Sequence, residues 1–317
     1  QAETEVDWLV NDLFSVGSSG FIAAEPKVGK SWVALDLAYC MATGCRFLGR
    51  FEIKQPRRVL FIEEEDSERR IIRRLKRLYR GNPERGRPSD SMWRIVVRSG
   101  FRLDDDEWMG KLRNELDEFR PEVVFLDVFN MLHLKDENSQ PEMSAILHEL
   151  AALTRTYGCA FVIVHHYRKS GIGQSQRGNQ MLRGHSSLAG YAECSLYLKK
   201  GQGHKIVCDP ESKDAPELDQ FEIKLIDTDD DGTRLTAADT PTRVREGEEE
   251  QTALDAVDAL TSDGKDVESM AIAEVAGWDR QKASRVLNRL VSASKLDVET
   301  TRRGRTRFRF FSRVQDG

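Results

Sequence analysis

Over roughly the first 230 residues, short apolar runs alternate with segments whose apolar positions recur every three or four residues. The apolar runs at 20–24, 58–63, 94–98, 123–127, 160–165, 194–199, 204–208 and 221–226 predict strands. Several are apolar throughout, which suits strands covered on both faces. Helical spacing predicts helices at 30–43, 67–80, 108–118 and 141–157, and the Gly, Pro, Arg and Ser content of 81–91 predicts a surface loop. This alternation predicts an α/β domain built on a mostly parallel sheet.

The pattern changes near Asp227. Asp229-Asp230-Asp231-Gly232 predicts a turn, and the polar stretch 231–251, with Glu248-Glu249-Glu250, predicts a charged linker. The expected division is therefore a large α/β domain over 1–230, a linker over 231–251 and a second module over 252–317. In that module, helical spacing falls at 252–260, 269–275 and 280–293. The runs 295–301 and 305–311 flank Arg302-Arg303-Gly304 as a hairpin would. Three helices followed by a hairpin is the pattern of a winged helix-turn-helix.

Composition adds bounds. The 317 residues suffice for one large domain and one small one, and no apolar run approaches the roughly 18 residues of a membrane span. There is no signal-peptide pattern, and the five cysteines lack paired metal-ligand spacing, so the expectation is a cytoplasmic protein with reduced thiols. The net charge of −5 hides an uneven distribution. Between Arg280 and Arg313 there are eleven basic residues against two acidic ones, Asp297 and Glu299. Arg280, Lys282, Arg285 and Arg289 on the third helix, with Arg302, Arg303 and Arg305 at the wing, form the footprint of a DNA phosphate reader. A protein-contact winged helix with solvated arginines would share this composition. The basic residues of helix 67–80 read as a solvated or subunit-facing surface.

The chemistry starts at 24–32. An apolar strand runs into Ala24-Glu25-Pro26-Lys27-Val28-Gly29-Lys30-Ser31-Trp32, a phosphate-binding loop leading into a helix. Gly29 lets backbone N–H groups approach phosphate oxygens, Lys30 brings a cation to the β/γ-phosphates, and Ser31 offers a hydroxyl to Mg²⁺. The helix dipole adds positive potential at the same point. Ala24 stands where the usual pattern begins with Gly. The loop implies ATP or GTP. Strand 123–127 ends in Asp127, placed to hold Mg²⁺ together with Ser31. Strand 58–63 runs into Glu63-Glu64-Glu65-Asp66, where a glutamate can accept the proton of the water attacking the γ-phosphate. Glu65 is the first candidate and Glu64 the second. Strand 160–165 leads into His165-His166, which can set a donor beside the γ-phosphate.

Together these segments, with Asp136-Glu137-Asn138 and Arg183-Gly184-His185-Ser186-Ser187-Leu188-Ala189-Gly190, resemble the RecA-like ATPases. More narrowly, they resemble the RepA-like hexameric helicase and AAA-type ATPase group, over about residues 8–226. The resemblance implies ATP and Mg²⁺ as cofactors, Glu65 as catalytic base and His166 as γ-phosphate sensor. It also implies Arg183 as a finger inserted into a neighbouring subunit's site, and hence a ring or filament, a hexamer in this group. Segment 168–183 is rich in Gly, amides and bases and matches the DNA-facing central loop of such proteins, with Arg168, Lys169 and Arg177 on DNA phosphates. The expected function is an Mg²⁺-dependent ATPase acting on DNA as an oligomer, a replicative or mobile-element helicase or translocase. The alternatives are a non-motor, ATP-controlled DNA-binding switch or loader and, more remotely, a small-molecule P-loop kinase.

Overall fold

The computed structural model describes residues 6–166, 186–201, 205–215, 218–239, 242–262, 267–278, 280–293, 295–303 and 306–313. The chain forms two compact units, 1–240 and 241–317. The larger unit opens with a small hairpin, β1 (Trp8–Val10) and β2 (Phe14–Ser15), followed by β3 (Gly20–Ala24) and α1 (Lys30–Thr43). Then come β4 (Val59–Glu63), α2 (Glu68–Gly81), β5 (Trp93–Val97), α3 (Asp106–Glu118) and β6 (Val123–Asp127). The unit continues with α4 (Gln140–Tyr157), β7 (Ala160–His166), α5 (Ser186–Tyr191), β8 (Cys194–Lys200), β9 (Lys205–Ser212), β10 (Phe221–Thr228) and β11 (Gly232–Asp239).

Nine strands make one sheet in the order β11-β10-β9-β8-β3-β7-β6-β4-β5. From β8 to β5 all neighbours are parallel, while β8 to β11 form an antiparallel extension. The expected mostly parallel α/β sheet is thus present. Its central strands β3, β4 and β6 are buried at every position, as their unbroken apolar runs require. β9 instead alternates buried and half-exposed residues over most of its length, the period-two signature of a sheet with one wetter face. At Gly20, β3 and β8 approach so closely that a Cβ would lie 1.4 Å from the Cys194 carbonyl oxygen.

The predicted charged linker at 231–251 is not what forms. Residues 232–239 are β11, paired residue for residue with β10, and the next helix begins at Thr242. This strand is polar because among its core-facing residues Thr233 and Leu235 suffice to seat it, at 2% and 0% exposed. It also receives the end of α2. Arg77 pairs with Asp227, Arg80 with Asp231, and the Arg234 Nε donates to the Gly81 carbonyl at 2.8 Å. Part of the basic surface of α2 is therefore neutralised inside the domain. The domain boundary falls at 240, ten residues beyond the predicted one.

The smaller unit contains α6 (Thr242–Ser262), α7 (Ser269–Val275), α8 (Arg280–Ser292) and the hairpin β12 (Leu296–Arg303) with β13 (Thr306–Arg313). Its core gathers Ala253, Val257, Ile272, Val286, Leu290 and Phe311. Val286 and Leu290 face inward, as the spacing of the third helix predicts. Glu248-Glu249-Glu250, expected in the linker, belongs to α6, whose charged residues favour helix on propensity alone. Among the described residues no helix is long and apolar enough to cross a membrane.

Candidate active site

The loop between β3 and α1 is shaped for an anion. Lys27 and Gly29 adopt left-handed backbone conformations at φ 65° and 110°, and the Val28 N–H bonds back to the Glu25 carbonyl at 3.4 Å. Glu25, Pro26 and Lys27 lie toward solvent, whereas Ala24, Val28, Lys30 and Ser31 are buried. Ala24 closes β3 within the sheet, where a methyl group is accommodated. Gly29 caps α1, so the first-turn N–H groups that no helix can satisfy internally begin beside it. Trp32 is half-buried in the same turn, with the Arg74 guanidinium 5.6 Å from its ring centre.

Lys30 is 6% exposed, and a buried ammonium needs an anion. Glu65 supplies it, with Oε2 3.3 Å from Nζ. The same oxygen lies 3.7 Å from His166 Nε2, an electrostatic contact too long for a hydrogen bond. Three residues from the ends of three separate segments thus meet at one carboxylate. Burial lowers the His166 pKa below the usual imidazole value; the Lys30 charge lowers it further, and Glu65 opposes both. His165, one residue earlier, is a core residue with edge contacts to Phe21 and Phe129.

The acidic cluster after β4 divides by geometry. The Glu64 carboxylate accepts four hydrogen bonds of 2.8–3.1 Å, from the Ser99 N–H and hydroxyl and from the Gly100 and Phe101 N–H groups. It fills an anion nest in the loop after β5 and turns away from Lys30. Glu63 is fully buried, and its Oε1 accepts from the Glu65 and Asp66 N–H groups at 2.8 and 2.7 Å. Asp66 holds Arg70 and Arg74 at the start of α2. Sequence reasoning placed Glu63 at the end of strand 58–63 but grouped it with the acids that follow it. The signal that separates it is its place as the last residue of a fully apolar strand.

Asp127 ends β6 directly opposite Glu63 and is fully buried. Burial pushes both carboxyl groups well above the ordinary range; Lys30 and the Ser31 hydroxyl oppose this at Asp127. Neither Asp127 oxygen has a hydrogen bond of standard geometry among the described residues. A buried carboxylate with uncommitted oxygens beside a serine hydroxyl is a donor set that fits Mg²⁺.

In the smaller unit, α8 carries the predicted basic residues, but two are already engaged. Lys282 pairs with Glu249 at 3.0 Å and covers the Trp278 ring, and Arg289 pairs with Glu250 at 3.2 Å and with Glu249 at 3.7 Å. Arg280 and Arg285 are exposed. Arg302 and Arg303 lie on β12, without described side chains; Arg305, and Arg168, Lys169, Arg177 and Arg183, lie outside the described residues.

The parallel sheet, the loop before α1 and the acidic strand ends define a P-loop nucleotide-binding α/β domain. Residues 1–171, more than half of the chain, match the AAA_25 family, described as an AAA domain, and the chain belongs to that family. AAA and RecA-like P-loop ATPases use nucleotide, usually with Mg²⁺. DNA repair protein RadA of Haemophilus influenzae is 24% identical over 200 residues, covering 62% of this chain. The match spans 36% of RadA's own length. A solved structure of a DnaB-like replicative helicase, described with its interactions with primase, matches with a TM-score of 0.49 and 14% identity. That match covers 66% of this chain and 55% of the helicase chain.

The contacts at His166 predict opposite responses to two substitutions. Lys30→Met removes a cation that disfavours the imidazolium and should raise the His166 pKa; Glu65→Gln removes the anion that favours it and should lower the pKa further. Histidine ring shifts followed by NMR against pH read both. Identical titrations in the two variants would contradict the placement of Glu65 between Lys30 and His166.

Proposed function

We propose that this chain is an Mg²⁺-dependent ATPase that acts on DNA as an oligomer, a replicative or mobile-element helicase or translocase. The observation that carries the reading is the meeting of Lys30, Glu65 and His166 at one carboxylate, beside Ser31 and Asp127. In this reading the triphosphate enters at residues 24–32, and its negative charge displaces Glu65 from the Lys30 ammonium. Lys30 then binds the β/γ-phosphates, while Ser31 and Asp127 hold Mg²⁺, which neutralises phosphate charge when bound. Glu65, released, accepts a proton from the water that attacks the γ-phosphorus. The bond from that phosphorus to the bridging oxygen breaks, and ADP carries away the electron pair. His166, whose pKa burial and Lys30 lower, donates a hydrogen bond to the γ-phosphate. Glu64 is committed to its nest, which favours Glu65 as the base.

The remaining roles rest on the resemblance of the sequence. Arg183 reaches a neighbouring protomer's γ-phosphate within a ring or filament, six subunits in a ring, and Arg168, Lys169 and Arg177 track DNA phosphates. The ATPase domain is 1–240, and the tail, read as a winged helix, binds DNA through Arg280, Arg285, Arg302, Arg303 and Arg305. Lys282 and Arg289 contribute less than their charge suggests, because α6 neutralises them. Such a protein works in the cytoplasm, where DNA and ATP meet.

Lys30→Ala should abolish ATP hydrolysis. Glu65→Gln should keep nucleotide binding and lose about 10²–10⁴ in turnover, the range for removing a general base. Normal turnover in Glu65→Gln with none in Glu64→Gln would move the base by one residue. DNA-stimulated turnover with strand displacement supports the motor; nucleotide-controlled DNA binding without displacement moves the assignment to the switch or loader. In the tail, the double substitution Glu249→Gln/Glu250→Gln should remove the two carboxylate charges that face Lys282, Arg289 and Lys295. Duplex binding should then tighten, and its salt dependence should steepen by roughly one to two units, at about 0.9 per phosphate contact. An unchanged slope would remove α8 from the DNA surface.

A further inference from the structure

We propose that Glu63 is a positioning residue for the hydrolytic carboxylate of Glu65, acting through the backbone of the turn between them and never touching the nucleotide. The inference rests on the reading of Glu65 as the base. The Glu65 side chain is 44% exposed, so packing does little to hold it, and its aim depends on where its backbone sits. Four contacts fix that backbone. The Glu64 N–H bonds the Asp127 carbonyl at 2.8 Å, and the Arg98 guanidinium donates to the Glu65 carbonyl at 2.7 Å. The other two converge on a single atom, Glu63 Oε1, which accepts the N–H groups of Glu65 and Asp66 at 2.8 and 2.7 Å.

The location of Glu63 is costly in a way that an ordinary turn does not require. A buried carboxyl loses its hydration, and here it stands opposite a second buried carboxyl in register on the neighbouring strand. A side chain of serine or asparagine could close a comparable turn from a solvated position. What Glu63 adds is reach from inside the sheet. Its backbone is paired in β4 with both β5 and β6, so the two N–H groups are referenced to the most rigid part of the domain. Asp66, held by the same oxygen, in turn holds Arg70 and Arg74, so one carboxyl sets both the base and the first turns of α2. Displacing a catalytic group by about 1 Å can cost about 10²-fold in rate, so a rigid reference for Glu65 has a direct kinetic consequence.

The test compares Glu63→Ala, Glu63→Gln and Glu65→Gln in the full chain, reading ATPase kcat and KM, the Kd for a fluorescent ATP analogue, and Tm. Glu63→Ala should lower kcat by about 10- to 10²-fold while KM and Kd stay within about threefold, because the misplaced group acts on the chemical step. Glu63→Gln should recover most of the rate, since its amide oxygen accepts the same two N–H groups. In a Glu65→Gln background, Glu63→Ala should lower the residual turnover little further, as expected for a residue that works through Glu65. If Glu63→Ala fails to fold, Glu63→Asp carries the same prediction, because its side chain is one methylene too short to reach both N–H groups. A folded Glu63→Ala or Glu63→Asp protein with wild-type kcat overturns the proposal. So does a Glu63→Gln protein as inactive as Glu65→Gln, which would make Glu63 itself the reacting group. A wild-type chain without ATPase activity defeats the functional reading and is recognised before any variant is compared.

Discussion

The structure depends on the burial of a parallel sheet whose central strands all finish at the same level. β3, β7, β6 and β4 lie side by side with their polar residues gathered at one end, where Ala24 pairs with His166 and Glu63 with Asp127. Elsewhere these strands are apolar, so each must sit deep in the core, and that depth fixes where its terminal residue emerges. The site is thus a product of hydrophobic burial. A lysine, two carboxyl groups and a histidine that are far apart in sequence meet because the apolar runs behind them have nowhere else to go.

Electrostatics then separates residues that composition cannot. Glu63, Glu64 and Glu65 are consecutive and chemically identical, yet one is buried against two backbone N–H groups, one fills a nest of loop donors, and one faces a lysine. The same logic governs the tail. Lys282 and Arg289 carry the charge expected of a DNA surface, but Glu249 and Glu250 on the neighbouring helix satisfy part of it. A cation's sequence position shows that it is charged; the carboxylates within reach decide how much of that charge remains for a partner.

Much of the larger unit was legible in advance, because continuous apolar runs such as Val123–Asp127 leave little choice of structure. Phosphate-loop chemistry also declares itself through residue type and spacing. What escaped was structure with a small apolar signature. β11 needs little beyond Thr233 and Leu235 to dock, and the β1–β2 hairpin has strands of three and two residues. The first half of α6, residues 242–251, escaped because a run of glutamates suits a linker and a helix equally well. That omission concealed the ion pairs on α8. Glu63 escaped for a different reason: its role lies in which N–H groups its oxygen accepts, and spacing carries no record of that.

The most direct test of the account is a structure of the chain with Mg²⁺, ADP and aluminium fluoride as the mimic of the transferring phosphoryl group. The account predicts Lys30 on the phosphates, Ser31 and Asp127 at the metal, and the Glu65 carboxylate moved from Lys30 onto a water in line with the aluminium. Glu63 should still accept from the Glu65 and Asp66 N–H groups. Glu64 on that water, with Glu65 still paired to Lys30, would contradict it.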